Sequence, residues 1–340
     1  MIGDKKIALE SEYKYLGVWI NEFCDFSKTE KVLSESSGRA LGKLISKFKG
    51  VKNMGYNTFT KLYNSCVVPI MNYGVGIWGI YSKSQLSEAV QNRAIRSFLG
   101  VHKFSANLAI NGDMGWENCS IRKKIEILRV WNRLVTMDEA RLCKKIFNWE
   151  FDKGVNNWCA CVKDIFIECN LIQWYERKAL CDLNFIRQKL RENDEIIWKQ
   201  RLENKPKLHL YRSIKLHYAV EKYVFDNINF SQRSFIAQLR FGTLPLAVET
   251  GRFTGIKRDD RVCPICDSNN VEDELHFIFI CPKFSDLREI MFNKVLRYNT
   301  NFLNYNHVDQ FQILNNFPLF FGKYISSAFK RRQELLYLKN

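Results

Sequence analysis

Cys263-Pro264-Ile265-Cys266 is followed after nine residues by His276 and after four more by Cys281. Three thiolates and one imidazole suit a structural zinc, and a Cys-x-x-Cys pair can grip an ion from a single tight turn. The run Val271-Glu272-Asp273-Glu274-Leu275-His276-Phe277-Ile278-Phe279-Ile280-Cys281 sets the histidine on an acidic-then-apolar segment, with the last ligand five residues on. The spacing predicts one structural zinc on Cys263, Cys266, His276 and Cys281; the alternative is four side chains that hold no metal. Zinc sites of this size fold small modules, so the motif points to a chain that grips rather than cuts.

Working outward, the 340 residues carry a formal charge of +16 and a pI of about 9.3. Such a surplus attracts polyanions, nucleic acid first and an anionic membrane surface second. Hydrophobic residues at 46% and aromatic residues at 14% are too many for a disordered chain. No apolar run approaches the roughly 18 residues of a spanning helix, and Met1-Ile2-Gly3-Asp4-Lys5-Lys6 opens no signal peptide. Eleven cysteines without a secretory signal fit a reducing intracellular compartment, cytoplasmic or nuclear, with three on the metal and most of the rest in the core.

The order of patterns predicts a mainly α-helical, multi-domain protein. Lys5–Leu9 and Tyr13–Ile20 read as two strands of a hairpin, within a first segment 1–22. Helices follow over 23–141. The first has Ser27 as cap, Glu30 closing a capping box, and Val32, Leu44, Ile45 and Phe48 on one face. The second covers Tyr56–Val68 and ends before Pro69. The third covers Ser84–Leu99, with a buried stripe of Leu86, Ala89, Val90, Ala94 and Phe98 and Gly100 as C-cap. Ile121, Ile125, Leu128, Val135 and Met137 mark a fourth. A Trp- and Cys-rich helical connector spans 142–204, a basic helical segment 205–255, the zinc module 256–297 and a tail 298–340.

These residues resemble a known family. Tyr15-Leu16-Gly17-Val18, Tyr63, Pro69, Tyr73-Gly74 with Trp78, and Gln91-Asn92-Arg93 with Leu99-Gly100-Val101 look like the palm end and thumb of a non-LTR (LINE-type) retrotransposon reverse transcriptase. The likeness is stronger in Lys205-Pro206-Lys207-Leu208 with Tyr211 and Lys215, and in Leu239-Arg240-Phe241-Gly242. It continues through Glu249-Thr250-Gly251-Arg252, Arg261, the zinc motif, Pro282 and Leu287-Arg288. The resemblance implies a thumb-like bundle over 23–141 and a role in positioning template and primer or target DNA. The implied partners are element RNA, target DNA or their hybrid, and upstream polymerase domains, with no membrane.

Polymerase chemistry needs carboxylates that hold a metal pair about 3.5–4 Å apart. In the resembled family one pair lies in an aromatic-x-Asp-Asp turn upstream of the Tyr-Leu-Gly hairpin, so this chain is expected to start past it. The one Asp-Asp here, Asp259-Asp260, follows Lys257-Arg258 with no strand pattern and reads as a solvated loop. No catalytic residue is therefore assigned, and the chain alone is expected to be inactive. Cys159, Cys161, Cys169 and Cys181 fit no common metal framework and read as core thiols, and His102, His209, His217 and His307 as surface or structural histidines.

The basic residues fall into two sets. Arg233 and Arg240, seven apart, are expected on one exposed helix face opposite Phe235, Ile236 and Leu239. Arg252, Lys257, Arg258 and Arg261 lead into the metal turn, where forked guanidinium donors suit phosphate. Tyr211, Tyr218 and Phe241 are read as possible stacking partners for bases. Lys43, Lys47, Lys49 and Lys52 form a second patch on the thumb-like helices. The function read from all this is nucleic-acid binding within a retrotransposon reverse transcriptase. The alternatives are a zinc-stapled protein–protein adaptor from a domesticated fragment and an enzyme whose active site escapes sequence reading.

Overall fold

Leu16 and Gly17 both take positive φ, 45° and 89°. Two such residues make the tight turn whose twist matches a β-hairpin. Around them, in the computed structural model, Glu12–Tyr15 pairs antiparallel with Val18–Asn21, Tyr15 opposite Val18 and Glu12 opposite Asn21. Both strands thus lie within and just beside the stretch predicted as a single strand. Lys5–Leu9, the expected partner, lies outside the described residues, which are 10–51, 54–226 and 228–339. A Cβ on Gly17 would stand 3.2 Å from the Tyr73 ring, whose hydroxyl donates to the Leu16 carbonyl at 2.8 Å.

The rest of the described chain is mainly helical, and no helix in it is long and apolar enough to cross a membrane. It forms two units, each built from non-consecutive segments. The first comprises Met1–Leu44, Leu62–Gln91 and Glu117–Ile196; the second Ile45–Lys61, Asn92–Trp116 and Ile197–Asn340.

In the first unit the helix Ser27–Gly50 begins as expected, but its capping box does not close. Glu30 reaches the buried Lys123 ammonium at 3.2 Å instead, and Asp25 accepts from the Ser27 backbone at 2.8 Å. A buried ammonium needs a carboxylate more than a helix end needs its third residue. Pro69 sits in the first turn of a separate short helix, Val68–Met71, after Tyr56–Cys66. The helix Gln85–Leu99, whose residues are divided between the two units, ends at Gly100 as predicted, with φ +70°. Its buried stripe is shifted in the first half. Leu86 is 44% exposed, while Ser87 and Gln91 face inward. The Gln91 amide is held there by the Glu117 carbonyl and the Arg122 guanidinium. The core gathers Ile121, Ile125, Leu128 and Trp131 of the helix Cys119–Val135 against Phe147, Val162, Phe166 and Tyr175. Cys159, Cys169 and Cys181 belong to that core, and burial pushes the Cys159 and Cys181 thiols up to about 12.

The second unit closes around Asp113, a fully buried carboxylate on the helix Asn107–Met114. Arg240, at the end of the helix Phe230–Arg240, donates to it through Nε at 2.7 Å and Nη2 at 2.9 Å. The hydroxyls of Tyr211 and Tyr223 donate to the same carboxylate at 2.9 and 2.8 Å. Burial and the neighbouring Asp113 charge hold both phenols well above their ordinary range. The helix Phe230–Arg240 packs along Pro318–Lys339, where the Phe235 and Phe329 rings lie 5.5 Å apart. Removing one partner of a buried ion pair leaves the other charge uncompensated, at roughly 3–5 kcal/mol. Asp113→Ala should therefore destabilise the second unit by about that amount in urea unfolding. A loss below about 1 kcal/mol, the ceiling for a solvent-exposed pair, would contradict this account of the core.

Candidate metal centre

Cys263, Cys266, His276 and Cys281 converge in the second unit. All four are buried, and one donor atom from each lies within 4.8 Å of the others. Cys266 Sγ stands 3.5 Å from His276 Nε2. Metal–ligand distances of about 2.0–2.3 Å imply tetrahedral edges of about 3.3–3.8 Å, so that contact already has the span of a coordination edge.

Local backbone chemistry explains the convergence. An antiparallel bridge between Val262 and Val271 closes the Cys-x-x-Cys knuckle: Cys263 N donates to Asn270 O at 2.9 Å, and Glu272 N to Arg261 O at 2.9 Å. The other two ligands flank the turn His276–Ile280, a single π-helical turn in which Cys281 N donates to His276 O at 2.8 Å. Five α-helical steps of 100° would leave such residues about 140° apart around the axis. The wider π turn closes that gap, and such turns gather at functional sites. Asp273 Oδ1 accepts from His276 N at 2.9 Å and caps the turn.

Mutual hydrogen bonds and burial set the protonation of these side chains. A hydrogen bond from Cys263 draws the Cys281 thiol below its ordinary value. The same bond, with burial, pushes Cys263 up to about 12. Burial disfavours charge on His276, yet its hydrogen bonds to Cys263 and Cys266 raise it. A cation at the centre would displace these protons. His276 Nδ1 is buried without a hydrogen-bond partner, which leaves Nε2 as the nitrogen facing the thiols.

A wall that sequence reading missed supports the centre. Glu272 is buried and takes two hydrogen bonds at 2.6 Å from Arg332, sixty residues on. It also accepts from Ala247 N at 2.6 Å and lies 3.9 Å from Cys263 Sγ. The Tyr324 hydroxyl donates to the carbonyls of Phe277 and Ile278, and Arg288 to those of Ile278 and Cys281. The stretch predicted as a tail thus supplies part of the metal centre's surroundings. The local signal there is the basic triplet Lys330-Arg331-Arg332, of which Arg332 turns inward.

The predicted nucleic-acid contacts divide sharply. Arg233 and Arg240 are 2% and 1% exposed, so the expected solvent-facing pair is corrected. Arg233 lies 4.0 Å over the Phe98 ring and donates from Nε to the Phe98 carbonyl, and burial lowers it to about 10. Arg240 serves Asp113. Tyr211 and Phe241 are likewise core, their rings 5.8 Å apart. Tyr218 is half-buried and donates to the Trp116 carbonyl at 2.9 Å. Arg261 gives Nε and Nη2 to the Ile256 carbonyl and Nη1 to that of Val248, so it pins its own loop. Arg252, Lys257 and Arg258 remain exposed, as do Lys43, Lys47 and Lys49 on the helix Ser27–Gly50; Lys52 lies outside the described residues. Asp259 and Asp260 are exposed on the one-turn helix Arg258–Asp260.

The comparisons with known proteins are sparse. No family model and no solved structure matches the chain. Over 106 residues it is 26% identical to a Drosophila melanogaster protein described as “Probable RNA-directed DNA polymerase from transposon BS”. The match covers 31% of this chain and 12% of that relative. It is a distant relation to a transposon polymerase, and the chain spans only a small part of that protein's length.

The purified chain should carry one equivalent of a thiolate-binding divalent metal. Cys266→Ser should lose it and render 256–297 sensitive to protease, because metal affinity and local folding are linked. Full metal content in Cys266→Ser by elemental analysis would remove that residue from the ligand set.

Proposed function

We propose that this chain is a nucleic-acid-binding segment of a non-LTR (LINE-type) retrotransposon reverse transcriptase, with zinc in the Cys263–Cys266–His276–Cys281 centre. The observation that carries the reading is the exposed basic run Arg252, Lys257 and Arg258, which leads directly into the metal knuckle. Arg261 fixes that run to the backbone through three hydrogen bonds, so its cations are presented on an ordered loop. Phe253, 82% exposed within the same run, offers a ring on which a base can stack. The overall charge of +16 and the distant transposon-polymerase relative support the same reading. Segment 256–297 is proposed as the zinc module that engages template RNA or target DNA. The thumb-like 23–141 would hold duplex backbone through Lys43, Lys47 and Lys49. No catalytic role is assigned to any residue, and polymerization would belong to domains beyond this chain.

Phosphate contacts release counterions, so log affinity should fall with log salt by about 0.7–0.9 per contact. Changing Arg252, Lys257 and Arg258 together to Ala should weaken binding to most sequences alike and make the slope shallower by about 2–3. Fluorescence anisotropy against RNA and DNA at several salt concentrations reads both quantities. Absence of binding at ~50 mM salt, where electrostatic association is strongest, would replace this reading with a zinc-stapled adaptor. Binding that the triple variant leaves unchanged would move the contacts to Lys43, Lys47 and Lys49.

A further inference from the structure

Beside the metal knuckle the second unit contains a cleft of about 470 Å³. That lies within the roughly 300–1,000 Å³ of small-molecule sites. Lys207 and Arg252, distant in sequence, converge there on one carboxylate: Glu249 accepts from Lys207 Nζ at 2.5 Å through Oε1 and from Arg252 Nη1 at 2.9 Å through Oε2. Arg258 also lines the cleft, with its side chain 58% exposed, and Glu274 is its second acidic residue. The buried Arg240 is part of the lining as well. Its Nε and Nη2 are bound to Asp113, but its Nη1 is buried with no hydrogen-bond partner.

An unpaired guanidinium nitrogen inside a protein costs free energy unless something completes it. Here it belongs to a residue beside a cleft that also carries Lys207, Arg252, Arg258 and Arg261. Of these five cations Arg240 is held by Asp113 and Arg261 by backbone carbonyls, and Lys207, Arg252 and Arg258 are left to match a compact tetrahedral anion with several acceptor oxygens. An internal phosphodiester carries a sugar on each side and a single negative charge, so it offers less charge to Lys207, Arg252 and Arg258 and cannot enter by one end. A terminal phosphate has one substituent and a second negative charge, so it can enter end-on.

We propose that this cleft receives a terminal phosphomonoester, carried either on the end of a nucleic-acid strand or on a free mononucleotide. The strand-end form rests on the nucleic-acid reading above; the mononucleotide form does not. Glu249 holds the cationic pair in place when the cleft has no anion, and it competes with the phosphate for the same donors.

The test compares one short single-stranded RNA bearing a 5′-phosphate, a 3′-phosphate or hydroxyls at both ends, by anisotropy. Adenosine 5′-monophosphate is titrated calorimetrically in parallel. A phosphorylated end should bind about tenfold tighter than the hydroxyl form, the scale of one charge-assisted hydrogen bond. Lys207→Gln, outside the open basic run, should abolish that preference, and Glu249→Gln should enlarge it. These opposite directions separate a cleft effect from misfolding, which circular dichroism and metal content monitor. Equal RNA affinities together with nucleotide binding that Lys207→Gln abolishes would support the cleft and assign it to free nucleotides. Nucleotide binding without any RNA binding would overturn the nucleic-acid reading and leave the cleft standing. Equal, salt-sensitive affinity for all three RNAs with no nucleotide binding would overturn the cleft and leave the nucleic-acid reading intact.

Discussion

Asp113 and Arg240 are both buried, and neither charge can be there without the other. A buried pair of this kind adds little net stability over apolar residues of the same shape, but it sets a strict geometric condition. Asp113 accepts two bonds from Arg240 and one each from Tyr211 and Tyr223, while its backbone carbonyl accepts from Glu221 N at 3.0 Å. Three stretches far apart in sequence must therefore meet at one carboxylate. The crowding around it leaves no room for substitution at the preceding residue. A Cβ on Gly112 would stand 2.5 Å from the Tyr211 hydroxyl and 2.7 Å from the Trp198 ring.

The metal centre repeats this logic at smaller scale. Its four ligands come from a knuckle and a π turn that are too short to hold themselves. The helix Pro318–Lys339 supplies what they lack, through Arg332 on Glu272 and Tyr324 on two carbonyls of the turn. The basic run before the knuckle inherits that order through Arg261. Cations on an ordered loop lose less side-chain and backbone freedom when they meet a phosphate backbone, so more of each contact remains as affinity. A fixed core, an outer carboxylate, a metal knuckle and a presented charge thus form one physical chain within the second unit.

Much of this was legible in the sequence where the information is local. The convergence of Cys263, Cys266, His276 and Cys281 followed from spacing alone, and the i+5 separation of the last two fits the π turn. Helix content, the stop at Gly100 and the presence of a short hairpin near the start were readable from periodicity and residue type, but the hairpin's strands and turn were not. What failed depended on partners far along the chain. Arg233 and Arg240 share a helix face, but periodicity does not say whether that face meets water. Asp113 lies 127 residues before Arg240, and Phe98 lies 135 before Arg233. Glu30 fitted a capping box until the distant Lys123 claimed it, and Gln91 turned inward because Glu117 and Arg122 bind it. Leu16-Gly17 was passed over as a turn because the flanking residues form one unbroken β-branched and aromatic run.

Nucleic acid is proposed to meet this chain on the ordered basic loop before the metal knuckle. Ultraviolet cross-linking of the metal-loaded chain to RNA and to DNA, with the adducts located by mass spectrometry, tests it most directly. Adducts are expected within 252–261, with Phe253 foremost, and are expected to be lost when the metal is stripped by chelation. Adducts that form efficiently but fall entirely outside that loop, unaffected by chelation, would contradict it.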